Sequence, residues 1–161
     1  THLCDQYTFP NGCHLAEVEI DPETGEVTLD RYVIFDDFGR LLDPRLTLGQ
    51  VHGGVVQGIG QALLEQACFD AESGQALTGS LMDYALPRAA DIPCLEGALT
   101  PDFPSHANRL GVKGSGQAGA IAAPATVMNA VMNALVPLGV AHIDMPATPA
   151  RVWAAIRAAR G

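Results

Sequence analysis

Basic residues are scarce in this sequence of 161 residues: nine lysines and arginines stand against 18 aspartates and glutamates, for a net charge of −9. The sequence has no basic run and no alternation of aromatic with basic residues. Proteins that bind nucleic acid neutralise phosphates with clustered lysine and arginine, so this pattern argues against nucleic acid as a partner. We interpret the acidic surface as a feature that favours solubility.

Cysteine is also rare, and its four copies form no C-x-x-C pair: Cys4, Cys13, Cys68 and Cys94. This spacing argues against a zinc or iron–sulfur site on the chain. The simplest interpretation is free, buried thiols, although disulfides stay open.

Long apolar runs and targeting signals are missing as well. No apolar stretch reaches the roughly 20 residues that span a bilayer, so we expect no membrane partner. The start at Thr1 has neither a methionine nor a signal peptide. We therefore expect a cytoplasmic protein and a chain that begins inside a longer one.

What the sequence does contain is core-forming and loop-forming residues. Hydrophobic residues make up 48% of the chain, which also has 17 glycines and 11 prolines. Such a composition is typical of one globular domain with several loops that depend on backbone conformation.

Periodicity predicts an α+β fold, in which an N-terminal β-hairpin extends into a mixed sheet and about three helices pack against it. A turn cluster at 21–26 separates the two hairpin strands. Pro124 is expected in the first turn of its helix, and Thr148 at the N-cap of the last one. The predicted elements are strands at 14–20, 27–35 and 77–82, helices at 44–66, 123–135 and 149–160, and a loop at 85–104 with at most one strand.

The helix around Gln50 carries two contrasting faces. Its apolar side gathers Leu48, Val51, Val55, Ile59, Ala62 and Leu63, together with His52, for which we expect a satisfied core position. Its other side carries Gln50, Gln57 and Gln61, with glycine at 49, 53, 54, 58 and 60 in or around that sector. Five helical glycines cost on the order of 5 kcal/mol against alanine. Either a neighbouring helix or a flat ligand could approach closely enough to offset this cost, and glutamine would serve a ligand with donors and acceptors.

A glycine-rich loop at 113–119 contains a formal G-x-G-x-x-G. A dinucleotide fingerprint needs a buried strand before it and an acidic residue about 20 positions later, and neither is present. Backbone N–H groups ahead of a helix suit an anion or an oxygen-rich ligand, and Lys113 would add positive charge. A purely structural turn is the alternative, and nucleotide binding is a third hypothesis.

Other catalytic patterns are weak. No serine lies in a G-x-S-x-G elbow, and no histidines have H-x-x-x-H spacing. Asp36 and Asp37 are adjacent in a predicted strand, so their side chains should point to opposite faces and cap the strand end, not share a site.

Seven short segments stand out together along the chain, at 9–12, 17–21, 36–44, 49–58, 79–84, 111–117 and 144–149. In this order they resemble the C-terminal portion of the large, molybdopterin-binding subunit of molybdenum hydroxylases, the family of xanthine oxidase, aldehyde oxidase and carbon monoxide dehydrogenase. Each segment is weakly specific alone, but the ordered set covers nearly the whole chain.

The resemblance implies that residues 1–161 form a C-terminal molybdopterin-binding subdomain of a larger subunit. It implies a molybdenum ion held by the dithiolene of molybdopterin, with no protein side chain on the metal. The implied partners are the rest of the large subunit, iron–sulfur and flavin subunits that hold the iron–sulfur clusters and FAD, and a small-molecule substrate. The implied cofactor-binding residues are Gln50, Gly49, Gly53, Gly54, Lys113, Gly114, Ser115 and Gly116.

The implied reaction is oxidation of aldehydes or N-heterocycles by hydroxylation at an electrophilic carbon. At the catalytic position the family usually has a glutamate that acts as a general base, and this chain has Gln117. A neutral amide forms hydrogen bonds but does not take up a proton near pH 7. A non-catalytic module that holds the cofactor or completes the fold is therefore the alternative function.

Overall fold

The first element is the predicted hairpin. In the computed structural model, which describes residues 6–161, β1 (Asn11–Ile20) pairs with β2 (Val27–Asp37) in antiparallel register. Asp21 Oδ1 accepts a hydrogen bond from the Glu23 N–H at 2.9 Å inside the turn. Gly25 has φ +77°, and a Cβ there would overlap Pro149 O and lie 2.6 Å from Trp153 N. Only glycine suits this turn, because it packs directly on the last helix.

The sheet is mixed, as predicted. β3 (Leu95–Thr100) pairs with β2 in parallel, so the strand order is β1-β2-β3. β3 is the one strand expected within 85–104. The central strand β2 contributes Leu29, Tyr32 and Ile34 to the core.

Three helices pack with this sheet, which confirms the predicted α+β class. They are α1 (Pro44–Leu63), α2 (Ala118–Leu135) and α3 (Pro149–Ala159). Asp43 caps α1 by accepting from the N–H groups of Arg45 and Leu46 at 2.9 and 3.1 Å. Thr148 stands at the N-cap of α3 as expected, but its side chain makes no capping hydrogen bond.

The core lies between the sheet and the helices. The apolar side predicted for α1 is buried at Val51, Val55, Ile59, Ala62 and Leu63, whereas Leu48 is half-buried. α2 adds a buried stripe at a spacing of about one helical turn, and α3 adds two residues. These buried residues are Ala123, Val127, Val131, Leu135, Val152 and Ile156.

One predicted element is wrong, and the predicted start of another is misplaced. Residues 77–82 form no strand: the N–H groups of Asp83 and Tyr84 bond to Ser80 O at 3.1 and 2.9 Å, and Ser80 Oγ donates to Asp83 Oδ2 at 2.6 Å. These local bonds compete with strand pairing and hold a turn. α2 begins at Ala118, ahead of the predicted start, so Pro124 lies inside the helix and not in its first turn.

α2 also corrects the expectation about membrane spans. Together with the 3₁₀ turn that follows it, the segment Ala118–Leu138 is long and apolar enough to cross a bilayer by length and composition alone. One face of the helix is fully buried against α1 and the sheet. This is the pattern of a core helix, which passes the same test of composition.

The expected burial of the cysteines is wrong at two positions. Cys13 and Cys94 are exposed and Cys68 is half-buried, and all three are free. Cys13 lies on an edge strand and Cys94 in the loop before β3, where few residues pack against them. Cys4 lies outside the described residues.

Candidate functional site

Glycine allows α1 and the start of α2 to cross closely. A Cβ at Gly54 would lie 2.9 Å from Ala120 N, and one at Gly58 would lie 2.7 Å from Ala123 Cβ. From the other side, a Cβ at Gly119 would overlap Val51 O. At these positions the neighbouring helix explains the glycine, and no ligand is needed. Gly60 is similarly packed, against side chains that follow the helix.

Gly49 and Gly53 differ from the packed glycines. A Cβ at either position would meet no atom within 4 Å, and both residues are exposed. At 3.6 residues per turn, Gly53 lies about 60° around the helix from Gln50. Gln50 and Gln57 are exposed on the same side. Packing within the fold therefore does not require glycine at 49 and 53, which lie on an open strip of backbone and amide side chains along α1.

The glycine loop reaches α1 along a fixed path. Arg40 N donates to Gly111 O and Lys113 N donates to Phe38 O, both at 2.9 Å. Gly114 N donates to Thr8 O at 3.1 Å. Gly39 has φ +62°, and a Cβ there would overlap Gly111 O. The chain up to residue 114 is therefore bound on two sides.

Lys113 points inward, to Asp37. Its Nζ donates to Asp37 Oδ2, and the two side chains are only 11% and 8% exposed. Asp37 Oδ1 accepts from Gly39 N at 2.8 Å. Burial opposes ionisation of Asp37, but its hydrogen bonds with Lys113, Gly39 and Asn11 hold the pKa below its ordinary value. The positive charge expected to face a ligand is thus neutralised inside the protein.

The loop and the glutamine face of α1 meet at Gly116. Gln50 Nε2 lies 3.8 Å from the position of a Cβ on Gly116, within ordinary van der Waals contact. The next residue, Gln117, is exposed and is the N-cap of α2, where its side chain makes no capping bond. Gln50 and Gln117 therefore lie at one surface, with the N-terminal end of α2 beside them. The Gln50–Gln117 surface, as we call it, comprises Gly49, Gln50, Gly53 and 114–117.

Gln50, Gly53, Gly116 and Gln117 of this surface are all exposed. Two cavities of about 410 and 540 Å³ are lined by residues of α1, β2 and the 87–95 segment, but not by Gln50, Gly116 or Gln117. Within residues 6–161, no group of three or more His, Cys, Asp and Glu side chains is placed to hold a metal ion. The surface offers amides and backbone N–H groups, which suit an organic ligand that presents both donors and acceptors.

A buried polar network that was not predicted joins β1 and β2. His14 Nδ1 is 2.8 Å from Tyr32 Oη, and His14 Nε2 is 3.2 Å from Asp36 Oδ1. Burial raises the pKa of Tyr32 to about 12. Asp36 and Asp37 face different partners, as their adjacent strand positions predicted. The one available signal was the polar His14 in a half-buried strand position.

His52 does not have the satisfied environment that was expected of it. The residue is half-buried, and its Nε2 is inaccessible and has no hydrogen-bond partner among the described residues. It lines the larger cavity, on a different side of α1 from Gln50.

Comparison with known proteins places these features in a family context. Residues 3–93, more than half of the chain, match the family model described as "Molybdopterin cofactor-binding domain". The nicotine 6-hydroxylase large subunit of Paenarthrobacter nicotinovorans is 42% identical over 153 residues. The carbon monoxide dehydrogenase large chain of Hydrogenophaga pseudoflava is 38% identical over 151 residues. These alignments cover 95% and 94% of this chain but 18% and 19% of the relatives, so the chain spans about a fifth of their length.

Solved structures show the same fold. A Cu,Mo-CO dehydrogenase in its carbon monoxide reduced state superimposes with a TM-score of 0.89 at 32% identity, over 94% of this chain and 19% of that one. Quinoline 2-oxidoreductase from Pseudomonas putida 86 gives a TM-score of 0.87 at 38% identity, over 92% of this chain and 19% of that one.

Proposed function

The chain belongs to the family of molybdopterin cofactor-binding domains, and we propose on this basis that its Gln50–Gln117 surface forms one wall of a molybdenum-cofactor pocket. The observation that carries the proposal is the approach of Gln50 Nε2 to within 3.8 Å of a Cβ position on Gly116. It brings two segments that are 66 positions apart in the sequence to one ligand-sized surface.

The residues at this surface fit such a cofactor. Gly49 and Gly53 leave open space beside Gln50 for a flat ring system. The Gln50 amide can pair with a pterin that has both donors and acceptors, and the backbone N–H groups of Ser115 and Gly116 can bind oxygen-rich groups. The Gly114 N–H already donates to Thr8 O. Gly54 contributes by letting α2 approach, and Lys113 by its bond to Asp37, so neither needs to touch the ligand.

The activity we propose is that of a molybdenum-dependent dehydrogenase or oxidase acting on aldehydes or N-heterocycles. When bound, the cofactor supplies a two-electron redox centre for hydroxylation at an electrophilic carbon. The contribution of this chain is to bind and orient that centre through Gln50 and the 114–117 loop. Because the chain spans about a fifth of its relatives, we propose that residues 1–161 act as a subdomain of a larger subunit.

Gln117 favours a second candidate function. A positioned general base contributes roughly 10²–10⁴-fold to rate, and the amide of Gln117 cannot take up a proton near neutral pH. The second candidate is therefore a non-catalytic module that holds the cofactor or completes the fold. A protein with full molybdenum loading and negligible turnover would favour it.

We also propose partner subunits. The names of the relatives describe a large subunit, a large chain and a subunit of a complex. Large side chains such as Tyr7, Leu81 and Met82 are at least 80% exposed here, which suits burial against other segments of the same protein. The proposed partners are the rest of the large subunit, an iron–sulfur subunit, a flavin subunit that carries FAD, and a small-molecule substrate.

The test is the molybdenum content of the intact protein with Gln50→Ala. We expect a clear loss of metal and of pterin fluorescence, because the amide contact is removed while an exposed helix position gains a good helix former. Gln61→Ala is the matched control, because Gln61 is exposed on the same side of α1 but about 16 Å further along it at 1.5 Å per residue. Equal metal content in both variants would count against the proposal.

A further inference from the structure

The loop that carries Gln117 is fixed at two points. Its first half is bound through the N–H groups of Lys113 and Gly114, which donate to Phe38 O and Thr8 O at 2.9 and 3.1 Å. Its far end is fixed at Gly119, where a Cβ would overlap Val51 O and lie 2.7 Å from Val55 N. Among the described residues, Ser115 and Gly116 have no backbone hydrogen bond of their own. The position of Gln117 therefore depends on how firmly these two ends are held.

Asp37 joins the three segments that surround the first of these ends. Its carboxylate accepts from Gly39 N at 2.8 Å and from Lys113 Nζ, and it is also hydrogen-bonded by Asn11 at the start of β1. Both members of the ion pair are nearly excluded from water, so solvent offers no replacement for a lost partner.

The pair is not placed to bind a ligand directly. Asp37 as a whole residue is 6% exposed at the end of the central strand, and the Lys113 ammonium is bound to its buried carboxylate. The pair can instead hold residues 111–114 against residues 38–40. The backbone that leads into residues 115–117 then has a fixed position.

We propose that Asp37 is a positioning residue, which through Lys113 fixes Gln117 in place relative to Gln50 without touching cofactor or substrate. The expected effect on turnover rests on the proposed function, whereas the expected effect on the position of the loop does not.

The experiment compares Asp37→Asn with a matched core variant, Ile156→Val in α3, in the intact protein. Ile156 is fully buried, and the truncation lowers stability without touching the loop. The first measurement is hydrogen exchange at the amides of Arg40, Lys113 and Gly114, which does not require the cofactor. We expect exchange at least about tenfold faster in Asp37→Asn and near wild-type in Ile156→Val. Unchanged exchange in Asp37→Asn overturns the proposal.

The second measurement is made on the loaded protein. We expect kcat per bound molybdenum to fall about tenfold or more in Asp37→Asn while substrate KM stays within about twofold, as for a misplaced catalytic group. Molybdenum content should fall less than in Gln50→Ala, because the Gln50 amide is kept. The EPR signal of Mo(V) should change in Asp37→Asn and not in Ile156→Val. Equal kcat and EPR signal in all three proteins, with full loading, overturns the positioning role. A wild-type protein that holds no molybdenum refutes the proposed function instead, and the exchange experiment still decides the claim about Asp37.

Discussion

Two neighbouring glycines on α1 allow the requirements of the fold and those of the proposed site to be tested separately. In each case the substitution adds a single methyl group. Gly53 is open, and alanine in an exposed helix is better than glycine by roughly 0.5–1 kcal/mol. Gly53→Ala should therefore raise the free energy of unfolding of the cofactor-free protein by about that amount. Gly54→Ala places a Cβ 2.9 Å from Ala120 N and 3.2 Å from Gly119 Cα. Because backbone atoms cannot move aside as a side chain can, the free energy of unfolding of this variant should fall by about 1–3 kcal/mol.

The opposite result is expected for cofactor binding at Gly53. If the cofactor lies against this strip, the added methyl group occupies ligand space, and molybdenum content should fall in a protein that is more stable than wild type. The assays are thermal unfolding of the cofactor-free protein and metal analysis of the purified intact protein. A stabilised Gly53→Ala variant with full molybdenum content would refute the assignment of this strip. A stabilised Gly54→Ala variant would refute the close helix crossing.

Three further predictions concern the polar groups around the site. Gly12→Ala places a Cβ on top of Asp36 Oδ1 and 2.8 Å from Phe35 O, so the free energy of unfolding should fall by about 1–3 kcal/mol. The control is Gly97→Ala on β3, at the other edge of the sheet, where the nearest atom is 3.6 Å away; this variant should be nearly neutral. The lowered pKa of Asp37 means that its contribution to stability is present above the ordinary value of 3.8 and is lost as pH falls below it. When the free energy of unfolding is measured against pH, Asp37→Asn should therefore lose less stability in acid than the wild type. Identical pH profiles would contradict the ion pair. Gln117→Glu should raise kcat by up to roughly 10²–10⁴-fold if the site lacks only a base, and steady-state kinetics that show no rise would mean that the base lies elsewhere.

The elements with local signals could be predicted from the sequence. The hairpin follows from strand alternation on either side of Asp21–Glu26, and α1 follows from its apolar spacing and the capping residue Asp43. Segment 77–82 was misjudged because its apolar residues are overridden by side-chain bonds between Ser80 and Asp83. The start of α2 was placed too late because Pro124 is tolerated inside the helix, where it packs beside Gly58.

The candidate site could be predicted only in part. Gln50, Gly53 and Gln117 lie together at one surface, as the pattern of α1 and the glycine loop suggested. Periodicity could not distinguish Gly53 from Gly54, because one faces open space and the other meets a helix that begins 64 residues later. The partner of Lys113 was equally hidden, since Asp37 is 76 positions away in the sequence. Long-range packing, not local propensity, assigns these roles.

The Asp37–Lys113 ion pair changes the role expected of Lys113. A free lysine beside a glycine loop would attract anions, whereas Lys113 is neutralised by Asp37 and can only hold the loop in position. Under the proposed function, the Gln50–Gln117 surface would therefore bind its ligand through amides, backbone N–H groups and the N-terminal end of α2.

An experimental structure of the intact protein with its cofactor bound tests the central claim most directly. We expect density for the pterin within hydrogen-bonding distance of the Gln50 amide, about 3.2 Å or less, and against the backbone of residues 114–116. Cofactor density that leaves Gln50, Gly53 and Gln117 in solvent would contradict the account.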